Sequence, residues 1–181
     1  MRVLGVDPGT VVTGWGILDC DRGRLSRVAS GTIKLGRGEV SLRLATLYAH
    51  LREILIEHEP CVMSLERNFV ARNVQSAFRL GEARGVAMAA AAGAGVALSE
   101  YSPATIKKSV VGHGRADKAQ VQAAVCRLLS IAEMPSPDEA DALAAGACHA
   151  FHKKYDDKVA AALDKAGGAG RRRIRIRAGT P

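Results

Sequence analysis

Short apolar runs separated by turn residues predict three consecutive strands at the start of the chain. The runs cover residues 3–6, 11–18 and 28–35, and the first ends at the turn Asp7-Pro8-Gly9. The polar stretch 19–24 predicts a hairpin loop between the second and third strands. Strands joined by such short connections favour an antiparallel meander.

From Ser41 onwards the spacing of apolar residues changes to that of a helix. Apolar side chains recur at three- and four-residue intervals from Leu44 to Leu55, and Pro60 closes the segment. The near-continuous apolar run 61–65 then predicts a central strand buried on both faces. This strand ends at Glu66.

The rest of the pattern predicts one more strand and four helices. The elements are a helix over about 73–92, a strand over 96–101, and helices that begin after Ser102, Asp117 and Ser136. The last helix has the clearest start, with Ser136 as N-cap, Pro137 at the first helical position and Glu139 completing a capping box. It is expected to run to about His152.

The predicted order begins β-β-β-α-β-α-β-α and ends with two further helices. A meander followed by helix-linked strands implies an α/β architecture with one mixed five-stranded sheet flanked by helices. The 181 residues and 48% hydrophobic content exclude a disordered chain and are enough for one well-packed core.

The sequence also bears on where the protein works. Four cysteines without a C-x-x-C pair predict reduced thiols rather than a disulfide framework. No secretory signal is visible, and the longest apolar stretch, 85–98, is too short to span a bilayer. We therefore expect a soluble, cytoplasmic protein with no membrane contact.

The net charge of +8 is unevenly distributed along the chain. Residues 151–181 carry 9 Lys and Arg against 3 Asp and Glu, so we expect a folded domain over 1–155 and a basic, flexible tail over 156–181. Segments 67–84 and 105–118 together hold 8 basic residues against 2 acidic ones. Two interpretations of these segments stay open: a face that binds a polyanion, or solvated helix faces.

Four acidic residues stand where three predicted elements begin or end. Asp7 and Glu66 end the first and fourth strands, and Asp138 and Asp141 lie three residues apart on one face of the last helix. Each residue alone has an ordinary explanation as a turn, loop, helix-start or surface residue. Their shared position at element ends favours one acidic cluster at an end of the sheet.

Such a cluster needs a counter-charge. Carboxylates at close range raise one another's pKa, and a divalent cation relieves their repulsion. Oxygen ligands alone favour Mg²⁺ or Mn²⁺ over zinc. A pair of such ions suits phosphodiester cleavage, because one activates water and the other neutralises the leaving oxygen.

Several motifs resemble the RuvC family, the bacterial Holliday-junction resolvases, over roughly residues 1–150. In chain order the segments are Asp7-Pro8-Gly9-Thr10 with Gly14-Trp15-Gly16, Leu65-Glu66 through Phe69 and Asn73, residues 78–86, Val110-Val111-Gly112-His113-Gly114 with Lys118, and residues 138–144. Each segment is weak alone, but five in the same order are highly specific.

The resemblance implies a ribonuclease-H-like fold and a homodimer that resolves four-way (Holliday) DNA junctions by paired symmetric nicks, in homologous recombination and DNA repair. It also implies that Asp7, Glu66, Asp138 and Asp141 are the catalytic residues and hold two Mg²⁺ ions per subunit, with Mn²⁺ able to substitute. Asp7 would bridge the two ions. The RuvA-RuvB branch-migration complex is the partner implied for a bacterial protein of this kind.

The resemblance further implies contacts with DNA. The residues are Phe69, Arg72, Asn73, Arg79, Lys107, Lys108, Arg115 and Lys118. Phe69 would stack on bases, whereas Lys107 and Lys118 would lie near the scissile phosphate. Arg67-Asn68 is more basic than the family's usual pair, which leaves the cleavage sequence preference open. The roles of His113, in proton transfer or in the turn, and of the arginine-rich tail also stay open.

Three other function classes compete with this interpretation. An ATPase of the actin, sugar-kinase and Hsp70 class shares an Asp-x-Gly hairpin, but it duplicates the fold. A related single-domain nuclease cuts ribosomal RNA precursors, and its substrate distinguishes it. A DNA-binding module without catalysis has no use for acids at all four positions.

Overall fold

The computed structural model describes residues 1–67 and 74–168, and the side chains of these residues up to Tyr155. The elements are β1 (Arg2–Asp7), β2 (Val12–Asp21), β3 (Arg24–Lys34), α1 (Val40–His58), β4 (Val62–Glu66), α2 (Val74–Gly93), β5 (Ala97–Tyr101), α3 (Pro103–Val111), α4 (Lys118–Leu129) and α5 (Pro137–Gly168). The predicted order of strands and helices is confirmed.

The five strands form one mixed sheet in the order β3-β2-β1-β4-β5. β1 and β2 pair antiparallel, as do β2 and β3, whereas β1, β4 and β5 run parallel. β1 and β4 therefore finish at the same end of the sheet, at Asp7 and Glu66, and we call this the acidic end. The opposite end, where β1 starts at Arg2, is the far end.

Helices cover both faces of the sheet, because alternate residues of the strands point to opposite sides. Leu4 and Val6 of β1 belong to a core cluster with α1 and α2. Leu18 of β2 and Leu143 of α5 belong to a second cluster that includes α3 and α4. The two clusters place α1 and α2 on one face and α3, α4 and α5 on the other.

Helix α5 lies directly against β1 and β2 because glycines remove the side chains between them. A Cβ added at Gly5 would collide with the carbonyl oxygen of Ala142, and one added at Gly14 with that of Asp138. At Gly16 the added Cβ would lie 2.9 Å from Cγ of Leu143. The start of α5 is thereby held against the acidic end.

Two element boundaries differ from the predictions. The stretch 19–24 belongs mostly to β2 and β3, because Arg22 and Gly23 with positive φ (48° and 82°) make a two-residue hairpin turn. The prediction that the last helix ends near His152 was wrong, since α5 continues to Gly168. Ala, Lys and Leu are strong helix formers and recur after His152, and no glycine follows His152 before Gly167.

The predicted division of the chain at residues 155 and 156 stays a prediction, and residues 169–181 lie outside the described part. Within the described residues, no helix is long and apolar enough to cross a membrane.

Candidate active site

The ends of β1 and β4 bring the first two carboxylates side by side. Val6 pairs with Leu65, so the next residues, Asp7 and Glu66, are neighbours across the two parallel strands. Thr13 is fully buried and supports the turn after Asp7, because its hydroxyl accepts from the Gly9 amide at 3.2 Å.

The first turns of α5 bring the other two acids to the same end. The capping box predicted for this helix is confirmed, since the Glu139 amide donates to Oγ of Ser136 at 3.3 Å and the Ser136 amide donates to Oε2 of Glu139 at 3.4 Å. Oε1 of Glu139 also accepts from the Ser30 hydroxyl at 2.6 Å, which ties the start of α5 to β3.

Asp7, Glu66 and Asp141 line one cleft of about 290 Å³. Lys107 of α3 and Lys118 of α4 line the same cleft, and apolar walls come from Pro103, Ile106 and Val121. Nζ of Lys118 lies 3.7 Å from Oδ2 of Asp141. Asp138 is not among the lining residues, but its charge acts on both Asp7 and Asp141.

The cleft makes ionisation of its acids unfavourable. Burial, then the charges of Glu66, Asp141 and Asp138, raise the pKa of Asp7 to about 8. Burial is also the main cause that raises the pKa of Glu66 and of Asp141, and Lys107 and Lys118 partly oppose both increases.

The donor set fits a hard divalent cation, because it consists of carboxylate oxygens alone. Among the side chains that the structure describes, in residues 1–67 and 74–155, no three from His, Cys, Asp or Glu are already arranged to hold a metal ion. The carboxylates converge on one cleft without forming a ready-made cage.

The structure separates the predicted DNA contacts into three groups. Lys107 and Lys118 lie in the cleft. Lys108 of α3, Arg115 of the loop between α3 and α4, and Arg79 of α2 are exposed outside the cleft. The predicted contacts Phe69, Arg72 and Asn73 lie outside the described residues.

Arg84 does not belong to an open basic face, although it lies in one of the two basic segments. Its guanidinium forms an ion pair with Glu100, and Nη1 donates to the carbonyl oxygen of Glu66 at 3.0 Å. Arg67 also lies 3.9 Å from Glu100. Arg84 therefore anchors α2 to the ends of β4 and β5.

The structure also shows residues that the sequence analysis missed. They are not further acids of the cluster but hold in place the elements that carry the acids. Ser64, two residues before Glu66 in β4, is buried. Its hydroxyl donates to the carbonyl oxygen of Ala145 at 2.7 Å, which joins β4 to α5. The serine interrupts an otherwise apolar strand, and this polar residue was the one sign in the sequence of such a buried contact. Nδ1 of His149 on α5 lies 3.0 Å from the hydroxyl of Tyr101, the last residue of β5.

Comparison with known proteins gives a consistent result. The family model described as crossover junction endodeoxyribonuclease RuvC matches residues 3–149. Among curated proteins, the crossover junction endodeoxyribonuclease RuvC of Parvibaculum lavamentivorans is 44% identical over 172 residues, which is 94% of this chain and 98% of the relative. The one from Halorhodospira halophila is 47% identical over 154 residues, covering 84% and 91%.

A solved structure extends the similarity to three dimensions. Thermus thermophilus RuvC in complex with a Holliday junction substrate matches with a TM-score of 0.81 and 30% identity, over 86% of this chain and 96% of that one. The fold and the order of its elements are therefore similar over most of both chains.

Proposed function

Because this chain belongs to the RuvC family of crossover junction endodeoxyribonucleases, we propose that it resolves four-way DNA junctions by hydrolysing phosphodiester bonds at the cleft of the acidic end. The observation that carries this assignment is the meeting of Asp7, Glu66 and Asp141 with Lys107 and Lys118 in one cleft. Acids there can bind metal ions, and lysines there can bind phosphate.

Asp7, Glu66, Asp138 and Asp141 are the residues that would hold Mg²⁺, two ions per subunit, with Mn²⁺ as a substitute. Bound ions would activate a water molecule and neutralise the leaving oxygen. Support for a bound cation comes from the cleft itself, because burial and the neighbouring carboxylates raise the pKa of Asp7 to about 8, and a nearby cation favours the ionised forms.

The two lysines have a separate role in this proposal. Lys107 and Lys118 offset the negative charge of the carboxylates when no metal ion is bound, and this charge would otherwise repel a DNA phosphate. Lys118 is largely exposed and can leave Asp141 to contact the scissile phosphate. Lys108 and Arg115 lie close by along the chain, and we propose contacts of both with the DNA backbone.

A homodimer formed through α2 fits a substrate with two-fold symmetry. Val74 and Phe78 are each 70% exposed and lie four residues apart on one face of α2. Gly81 and Gly85 continue this stripe, and an added Cβ at either glycine would meet nothing within 4 Å. Such a stripe lets the α2 of a second copy approach closely, so that the dimer presents two clefts.

The family also suggests the setting in which the dimer works. We propose the RuvA-RuvB branch-migration complex as a partner and the bacterial cytoplasm, where chromosomal DNA lies, as the place of action. The pathways served would be homologous recombination and DNA repair.

One comparison of substrates tests the proposal. The protein is incubated with Mg²⁺ and a labelled four-way junction, a linear duplex or an RNA–DNA hybrid, and the products are separated. We expect paired nicks at symmetric positions in the junction and little cleavage of the duplex. RNA cleavage without junction cleavage would instead identify a ribosomal RNA nuclease, and ATP-dependent thermal stabilisation would favour the ATPase class.

A further inference from the structure

A second, smaller cleft lies at the acidic end, on the other face of the sheet. It is lined by Gly9 and Thr10 of the loop after Asp7, by Val40 and Arg43 of α1, and by Arg79 and Glu82 of α2. Its volume is about 10 Å³, which is about the space that one water molecule needs. The two clefts therefore flank the loop that follows Asp7.

Arg43 is the unusual residue of this second cleft. Its Nε is buried, and in the part of the chain that the structure describes it has no hydrogen-bond partner. A buried N–H of a guanidinium without an acceptor costs free energy, because it has lost water and gained nothing in return. An oxygen acceptor in the cleft would remove this cost.

The surroundings of Arg43 favour an acceptor with negative charge. Arg79 and Glu82 line the same cleft, so two basic residues share it with one acidic residue. The first turn of α1 contains no acidic residue, and Glu39 at its N-cap position makes no capping hydrogen bond. The Glu39 carboxylate instead accepts from the Ser41 hydroxyl at 2.7 Å. The first backbone N–H groups of this helix therefore receive no side-chain cap.

We propose that Arg43, Arg79 and the loop 9–10 form a subsite for one phosphate of the DNA backbone, beside the strand that is cut. The cleft has room for only one oxygen atom of a phosphate group, and the rest of that group would stay outside it. A nucleotide or another whole small molecule would not fit. The subsite rests on the proposed function for its ligand. It adds a contact on the α1 face to the lysine contacts on the α5 face, so a DNA strand is held on both sides of Asp7.

Salt dependence of DNA binding tests this subsite. Affinity for a four-way junction is measured in EDTA, without cleavage, over a series of KCl concentrations. Arg43→Gln and Arg79→Gln are each expected to reduce the slope of log affinity against log salt by about one, because each removes one phosphate contact, and to weaken binding about five-fold. Glu82→Gln is expected to strengthen binding, because it removes the opposing charge.

Arg52→Gln is the matched control, since it makes the same change on the same helix at the far end. This variant should keep the wild-type slope. A wild-type slope and affinity in Arg43→Gln would overturn the subsite, as would equal losses in Arg43→Gln and Arg52→Gln. If Arg43→Gln does not fold, Arg79→Gln, which changes an exposed residue, decides by the same criterion.

The design separates this inference from the proposed function. All variants are also measured on a linear duplex, whose backbone offers the same phosphates. If the wild type neither prefers nor cuts the junction, the proposed function fails, and the duplex slopes still decide the subsite. If the wild type cuts the junction while both arginine variants keep its slope, the subsite fails alone.

Discussion

The two ends of the sheet treat an aspartate in opposite ways. At the far end, both carboxylate oxygens of Asp19 accept from the guanidinium of Arg2 at 2.9 Å, and this hydrogen bonding lowers the pKa of Asp19. At the acidic end, Asp7 is buried among other acids, and its pKa rises to about 8.

The difference separates acids that serve folding from acids that serve binding. Arg2 also donates to the carbonyl oxygen of His58, so the pair at the far end joins β1, β2 and the end of α1. The acids at the acidic end make the metal-free fold less stable when they ionise. A protein retains such an arrangement where a ligand supplies the missing charge.

The largest expected effect comes from making the same substitution at each end. Asp7→Asn should reduce Mg²⁺-dependent junction cleavage at least about 10³-fold, because it removes a proposed metal ligand, while Asp19→Asn should cleave at nearly the wild-type rate. Gel-based cleavage rates under single-turnover conditions measure both. Junction binding in EDTA should persist in Asp7→Asn, and a parallel loss of binding and cleavage would contradict its assigned role.

The next effect concerns the close packing that holds α5 at the acidic end. Gly5→Ala places a methyl group against the Ala142 carbonyl and should lower the free energy of unfolding by about 3 kcal/mol. Gly31→Ala, on the outer strand β3, places its methyl group 3.4 Å from the Trp15 ring and should be tolerated. Chemical unfolding checks both, and equal stabilities of the two variants would contradict the close approach.

A smaller effect is the dependence of stability on pH. The raised pKa of Asp7 means that its contribution to stability is present below about pH 4 and is lost as the pH rises through about 8. Asp7→Asn should therefore stabilise the metal-free protein at pH 8 and above, by about 2 kcal/mol or 4–8 °C in Tm, and lose this advantage at low pH.

Asp19→Asn should show the opposite sign. The lowered pKa of Asp19 means that its contribution is present at neutral pH and lost as the pH falls. The variant should be less stable than wild type at pH 7, and the difference should shrink in acid. Thermal unfolding in EDTA across the pH range would refute the contrast if both variants shifted Tm in the same direction.

The smallest expected effect is that of single lysines on DNA binding. Lys118→Ala or Lys107→Ala should weaken junction binding about five-fold and reduce the salt slope by about one, because each removes one phosphate contact. Lys154→Ala, on α5 beside the far-end hairpin at Gly23, is the control and should leave both quantities unchanged. Identical slopes in all three variants would remove the lysines of the cleft from the DNA interface.

Local signals were enough for much of the fold. The change from short apolar runs to helical spacing at Ser41, and the capping box at Ser136 and Glu139, predicted elements that the structure confirms. These signals depend on neighbours in sequence, which act before any tertiary contact forms. The hairpin at Arg22 and the length of α5 were predicted less well, because the polar stretch 19–24 concealed the strand ends and helix-forming residues continue after His152.

Partners distant in sequence could not be predicted in the same way. Arg84 counted as a basic surface residue until the fold brought Glu100 beside it, and Arg43 had no sequence signal at all. The glycines at positions 5 and 14 likewise had no assigned role until α5 was seen to lie on them. The burial of a side chain and its pairing with another side chain depend on which helices and strands meet, and local patterns in one sequence do not predict this.

The amino-acid sequence by itself determined the strands, the helices and the placing of an acid at the end of each of three elements. Only the tertiary structure decided that β1 lies between β2 and β4, and that α5 starts against the same end of the sheet. The physical reason is that periodicity and capping are local, whereas the free energy of a carboxylate depends on every charge and apolar surface that folding brings near it.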